Sequence, residues 1–98
     1  MTLPIVLRLE AQAEFDDAFD WYEGRKAGLG VHFAKQVRKV FLRIATNPQL
    51  YPPVFRDIRL AVMPRFPYCV YYRPEAALIR ILAVFHNRRD PAVWQGRA

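Results

Sequence analysis

Residues 55–86 hold three strand-like runs joined by two links of only four residues, and this most narrows the folds open to the chain. In 55–63, Ile58, Leu60 and Val62 alternate with Arg59, Ala61 and Met63. Residues 68–73, Tyr-Cys-Val-Tyr-Tyr-Arg, are aromatic and β-branched. Residues 78–86 are almost wholly apolar. Period-two alternation and β-branched or aromatic enrichment mark strands. Pro64-Arg65-Phe66-Pro67 and Pro74-Glu75-Ala76-Ala77 are too short for a crossover, so the three strands form antiparallel hairpins.

Upstream the period changes. Residues 4–10 read as a short strand, with Ile5, Leu7 and Leu9 on one face. Residues 11–26 read as a helix, because Phe15, Ala18, Phe19 and Tyr22 fall at i, i+3, i+4 and i+7. Gly24, Gly28 and Gly30 mark a short connection. A second helix follows from 30 to 46, its core stripe being Phe33, Val37, Val40, Phe41 and Ile44, with Lys35, Arg38, Lys39 and Arg43 largely off it. Asn47-Pro48 stops that helix, since a residue before proline is pushed out of helical geometry. The expected fold class is α+β, in the order β-α-α-β-β-β. A helical hairpin packs on one face of a twisted, mainly antiparallel sheet, as a single domain over residues 1–98.

Charge is divided unevenly. Residues 1–23 carry one arginine against six acids, a net of −5, and residues 24–98 carry fourteen cations against three acids, a net of +11. Arginine supplies 12 of the 15 cations. Its fork suits phosphate or carboxylate, so an acidic protein segment and a nucleic-acid backbone are the partner classes this balance admits. Cys69 is the single cysteine, which excludes an internal disulfide and fits a reducing cytoplasm. It sits in an apolar run and reads as a core residue. No run approaches the ~20 apolar residues of a membrane span, and no secretory signal is visible.

Little of the chain suggests covalent chemistry. There is no serine, no glycine-rich phosphate loop, and no Cys/His spacing of a zinc site, so neither metal nor cofactor is expected. His32 reads as a surface or boundary residue. RNA cleavage through the 2′-hydroxyl needs a base, an acid and cations for the developing phosphorane charge. Arg59, Arg65, Arg88 and Arg89 could supply cations and His86 one proton-transfer group; a second such group is missing. A binding role needs less. By alternation some arginines share the open sheet face with Tyr68 or Tyr71, and arginine–aromatic surfaces are common at binding hot spots.

Several motifs, taken in order, resemble a known family. They are Trp21-Tyr22-Glu23, then Gly28-Leu29-Gly30-x-x-Phe33, then Asn47-Pro48-x-x-Tyr51-Pro52. Arg59 follows, then Phe66-Pro67-Tyr68-x-Val70-Tyr71-Tyr72, and last Ala83-Val84-x-His86-x-Arg88-Arg89-Asp90-Pro91-x-x-Trp94. Across nearly the whole chain this is similar to the toxin half of bacterial type II toxin–antitoxin pairs, in the RelE/ParE superfamily, on the ParE side. The resemblance implies the RelE-like fold and a cognate antitoxin whose disordered, acidic C-terminal tail folds onto the toxin. It implies DNA gyrase as the target, nucleic acid being met only indirectly or weakly. RelE-type ribosome-dependent nucleases carry a tyrosine near the C-terminus; here no tyrosine follows Tyr72. The alternatives to a gyrase-inhibiting toxin are such a nuclease, or a relative that only binds its antitoxin. Arg59, Arg65, His86, Arg88 and Arg89 are the candidates for toxicity or target contact. Tyr68, Tyr71, Arg73 and Trp94 are the candidates for antitoxin contact.

Overall fold

The computed structural model describes residues 2–98. Strand β1 (Ile5–Leu7) leads into helix α1 (Leu9–Arg25), and α2 (Leu29–Thr46) completes a hairpin with it. Strands β2 (Pro53–Phe55), β3 (Ile58–Val62), β4 (Tyr68–Pro74) and β5 (Ile79–His86) follow, and a short helix α3 (Ala92–Gln95) ends the fold. The sheet order is β1-β5-β4-β3-β2, with β1 parallel to β5 and the other pairs antiparallel. The expected α+β fold, a helical hairpin on a mainly antiparallel sheet, is therefore present.

The hairpin covers one sheet face. Phe33, Val37, Val40 and Ile44 of α2 are buried with Ala11 and Ala18 of α1 against Ala61, Val70, Tyr72, Ile79, Ile81 and Val84. A smaller cluster lies on the back face, where Trp94 of α3 packs with Ile58, Leu82, Ala83 and Phe85. Both faces of β5 are thus covered, which accounts for its nearly unbroken apolar run.

Three expectations are corrected. The strand placed at 4–10 ends at Leu7, and α1 begins at Leu9 rather than 11. The run 55–63 is two strands, because Arg56 takes φ 54° and turns Phe55 back onto Ile58. Nothing in an arginine announces a left-handed turn position. The order therefore gains a fourth strand after the hairpin and the helix α3. A bulge opposite Tyr71/Tyr72 leaves Leu82 without a partner on β4, so Leu82 and Ala83 both join the back-face cluster. That extra residue sets Val84 and the end of β5 in register with the hairpin side.

The hairpin turn is tied down from a distance. Glu23 of α1 accepts hydrogen bonds from the backbone N–H of Gly28 (2.8 Å), Gly30 (2.9 Å) and Val31 (3.3 Å). It serves as the N-terminal cap that α2 lacks locally. At Gly30 the helices meet closely: a Cβ there would stand 2.6 Å from the Phe19 carbonyl and 2.9 Å from the Glu23 Cβ. Gly28, at φ 89°, makes the turn.

Candidate functional site

A cleft of about 600 Å³ lies between α1 and the end of the sheet where β4 begins and β5 stops. Its α1 wall is Glu14, Asp17, Ala18, Trp21 and Tyr22; its sheet wall is Pro67, Tyr68, Val84, His86 and Arg89. Tyr22 meets Tyr68 edge-on, with ring centroids 6.2 Å apart, and Tyr68 meets the His86 ring at 5.1 Å. Burial pushes the phenols of Tyr22 and Tyr68 above the ordinary tyrosine range, so both stay protonated near neutral pH. Trp21 is 56% exposed at the rim, with the Arg25 guanidinium 4.3 Å from its ring centre.

Glu14 organises this end of the molecule. β1 stops at Leu7, so the N–H of Val84 on β5 has no strand partner; Glu14 Oε1 accepts it at 3.1 Å. The same carboxylate pairs with Arg89 at 2.7 Å and with Arg97 at 3.0 Å. Arg97 also donates to the Leu82 carbonyl at 3.0 Å, which seals the next position on the open edge. One carboxylate thus joins α1, β5, the turn after β5 and the chain beyond α3.

The turn after β5 is held by its own backbone. His86 Nδ1 accepts the N–H of Arg88 at 3.1 Å, and the Asn87 N–H donates to the Pro67 carbonyl at 2.9 Å. The first bond leaves Nε2 as the ring nitrogen open to a ligand. The second joins this turn to the β3–β4 turn, where Arg65 sits at φ 70°. His86, Arg65, Arg88 and Arg89 are thereby gathered at one end of the sheet.

Arg59 lies elsewhere. It pairs with Tyr72 across β3–β4, on the face covered by the hairpin, and donates to the Tyr51 carbonyl and to Gln49. Tyr72 reaches the Pro48 carbonyl at 2.9 Å, so these two side chains anchor the proline-stiffened loop after α2. The residues proposed from sequence for antitoxin contact are also divided between the faces. Tyr68 lines the cleft. Tyr71 lies on the back face, stacked on Trp94 at 4.0 Å with the rings 19° from parallel. Trp94 is only 4% exposed and closes the back-face core, and its indole N–H meets no acceptor. Arg73 shares Glu75 with Arg80, at 3.8 and 3.2 Å.

Cys69 is 8% exposed, donates its S–H to Asn87 at 2.9 Å, and has its thiol pushed up by burial; it acts as a core residue. His32 is half-buried, between Gln36 and the edge of Phe66. Among the described residues no cluster of three or more His, Cys, Asp or Glu could hold a metal, and no helix is long and apolar enough to cross a membrane.

The α1 wall of the cleft was missed in the sequence. A signal was present: Glu14 stands three residues after Ala11 and four before Ala18, both buried. A carboxylate in line with two buried alanines must find partners.

Fold and cleft define a small α+β domain with an aromatic cleft flanked by arginines at one sheet end. The chain belongs to the family of ParE toxins of type II toxin–antitoxin (parDE) systems, whose model matches residues 5–91. Among solved structures it is similar in fold to one described as the chromosomal ParDE TA system from P. aeruginosa. The TM-score is 0.72 at 16% identity, covering 87% of this chain and 96% of that one. No curated protein matches the chain.

Proposed function

We propose that this toxin-family domain acts in the cytoplasm by binding and inhibiting DNA gyrase, and that a cognate antitoxin neutralises it through an acidic, disordered C-terminal tail. The family supports the toxin role and the antitoxin partner. The observation that carries the binding reading is the state of the groups around His86. Of the two acids in the cleft wall, Glu14 is already engaged by Arg89, Arg97 and the Val84 N–H, and Asp17 is exposed to solvent. The phenols of Tyr22 and Tyr68 are held protonated and cannot serve as bases near neutral pH. Among the described residues no hydrogen bond ties His86 to a carboxylate that would orient it as a base, whereas an arginine-flanked aromatic cleft is a good binding surface. Arg65, His86, Arg88 and Arg89 form the target-contact end in this reading. The +11 charge of residues 24–98 favours an acidic tail.

The test is a gyrase cleavage assay. The protein is incubated with gyrase, ATP and supercoiled plasmid, then treated with detergent and protease. Linear plasmid that forms only in its presence, and is lost with Arg88→Ala/Arg89→Ala, is the expected result. Unchanged plasmid with a folded protein overturns the gyrase assignment. Cleavage of mRNA on translating ribosomes would replace it with the nuclease reading.

A further inference from the structure

The outward face of α2 is not used by the cleft or by the core. Lys35, Arg38, Lys39 and Arg43 are all exposed, and α2 contains no acidic residue. Among the described residues Lys35, Arg38 and Lys39 make no ion pair or side-chain hydrogen bond, and Arg43 reaches only the Tyr51 hydroxyl at 3.3 Å. At 3.6 residues per turn these four cations occupy an arc of about 140°, and at 1.5 Å per residue they span about 12 Å. An unneutralised row of this kind is held at an electrostatic cost that an anion removes.

Two partner chemistries suit a basic helix face, and the apolar pattern decides between them. An acidic amphipathic helix needs apolar anchors at i, i+3, i+4 and i+7. Here Val31 (45% exposed) and Leu42 (62% exposed) lie on this face but three turns apart, with Lys35 and Arg38 between them, so no continuous stripe forms. A cationic face without a continuous apolar stripe matches a phosphate backbone, and the shallow concavity beside Lys39 and Arg43 is open to it. Double-stranded DNA carries one charge per ~1.7 Å of axis, roughly seven over the length of this row. The neighbouring helix α1 carries six acids, which repel the same polyanion and leave α2 as the side it approaches.

We infer that the outer face of α2 is a nucleic-acid backbone site, with Lys35, Arg38, Lys39 and Arg43 as the phosphate contacts. None of the four lines the cleft. Fluorescence anisotropy with a labelled 25-base-pair DNA duplex, and in parallel an RNA duplex of that length, tests it on the isolated protein. Three to four phosphates give a log–log salt slope of about −2.7 to −3.6, so raising salt from 50 to 200 mM weakens binding roughly 40- to 150-fold. Lys35→Ala/Lys39→Ala, both exposed, is expected to weaken binding at 50 mM salt at least tenfold and to reduce the slope by about 2. Arg56→Ala/Arg73→Ala removes the same charge elsewhere and is expected to change affinity less than threefold.

Circular dichroism checks that both variants fold. Loss on both duplexes establishes a site for the phosphate backbone; loss on one alone identifies which nucleic acid it serves. Equal weakening by the two double variants overturns the proposal, as does no binding at 50 mM salt. So does preference for a glutamate-rich peptide of equal charge over either duplex, which would make α2 a protein-docking face.

Discussion

Replacing Glu14 by alanine tests whether one carboxylate holds this end of the molecule together. The Glu14 side chain is 12% exposed and that of Arg97 11%, so the pair is largely withdrawn from water. Removing one partner of a buried ion pair costs about 3–5 kcal/mol, because the other charge is left uncompensated. The Val84 N–H loses its acceptor, at about 1–3 kcal/mol if water does not replace it. Arg89 is 44% exposed, so its pair adds no more than about 1 kcal/mol. Arg97 keeps its bond to the Leu82 carbonyl and water can reach this edge, so a net loss of about 3–4 kcal/mol is expected. For a chain of this size that lowers the melting temperature by roughly 12–25 °C. Glu14→Gln keeps an acceptor for Val84 and should lose about half as much. Thermal denaturation followed by circular dichroism reads both. The pairing also requires Glu14→Ala/Arg97→Ala to cost less than the sum of the single changes. A loss below 1 kcal/mol for Glu14→Ala, or strict additivity, would refute the reasoning.

Two further outcomes follow from the hairpin. The N–H groups of Gly28 first, then those of Val31 and Gly30, hold the Glu23 carboxyl below the ordinary glutamate range. A depressed carboxylate contributes stability above its unfolded pKa and loses it as pH falls through the folded value. The melting temperature should therefore drop on acidification below about pH 4, and Glu23→Gln should flatten that part of the profile while lowering stability at neutral pH. Gly30→Ala drives a methyl into the Phe19 carbonyl and the Glu23 Cβ, and should cost about 1–3 kcal/mol in urea denaturation; a neutral result would mean that the two helices separate easily.

The helices were legible because their apolar spacing is local, and α2 begins and ends within a residue of its expected bounds. The antiparallel hairpins were legible from link length. Sheet faces were not. Ile58, Leu60 and Val62 look like the inward set of β3, yet Val62 is 57% exposed, while Ala61 and Met63 face the hairpin with Arg59. Alternation fixes which residues share a face and leaves open which face is covered. Arg59 groups with Arg65, Arg88 and Arg89 by charge alone, yet it stands at the start of β3, opposite Tyr72 and away from the end of the sheet that holds the others. The Leu82 bulge and the Arg56 turn carry no sequence mark. The basic turn after β5 was visible at once, since His86, Arg88 and Arg89 are adjacent; its partners on α1 are some 70 residues away in the chain.

That separation has a consequence for synthesis. Glu14 is made early, and the three groups that engage it, at Val84, Arg89 and Arg97, come 70 to 83 residues later. At about 5–20 residues per second, the carboxylate waits roughly 4–17 s for the last of them. Until then the cleft lacks its sheet wall, and the emerging chain has neither the aromatic pocket nor the arginine-lined turn in place. Residues 84–97 therefore decide when the cleft exists, since its sheet wall and its arginines come together with Glu14 only once they have emerged.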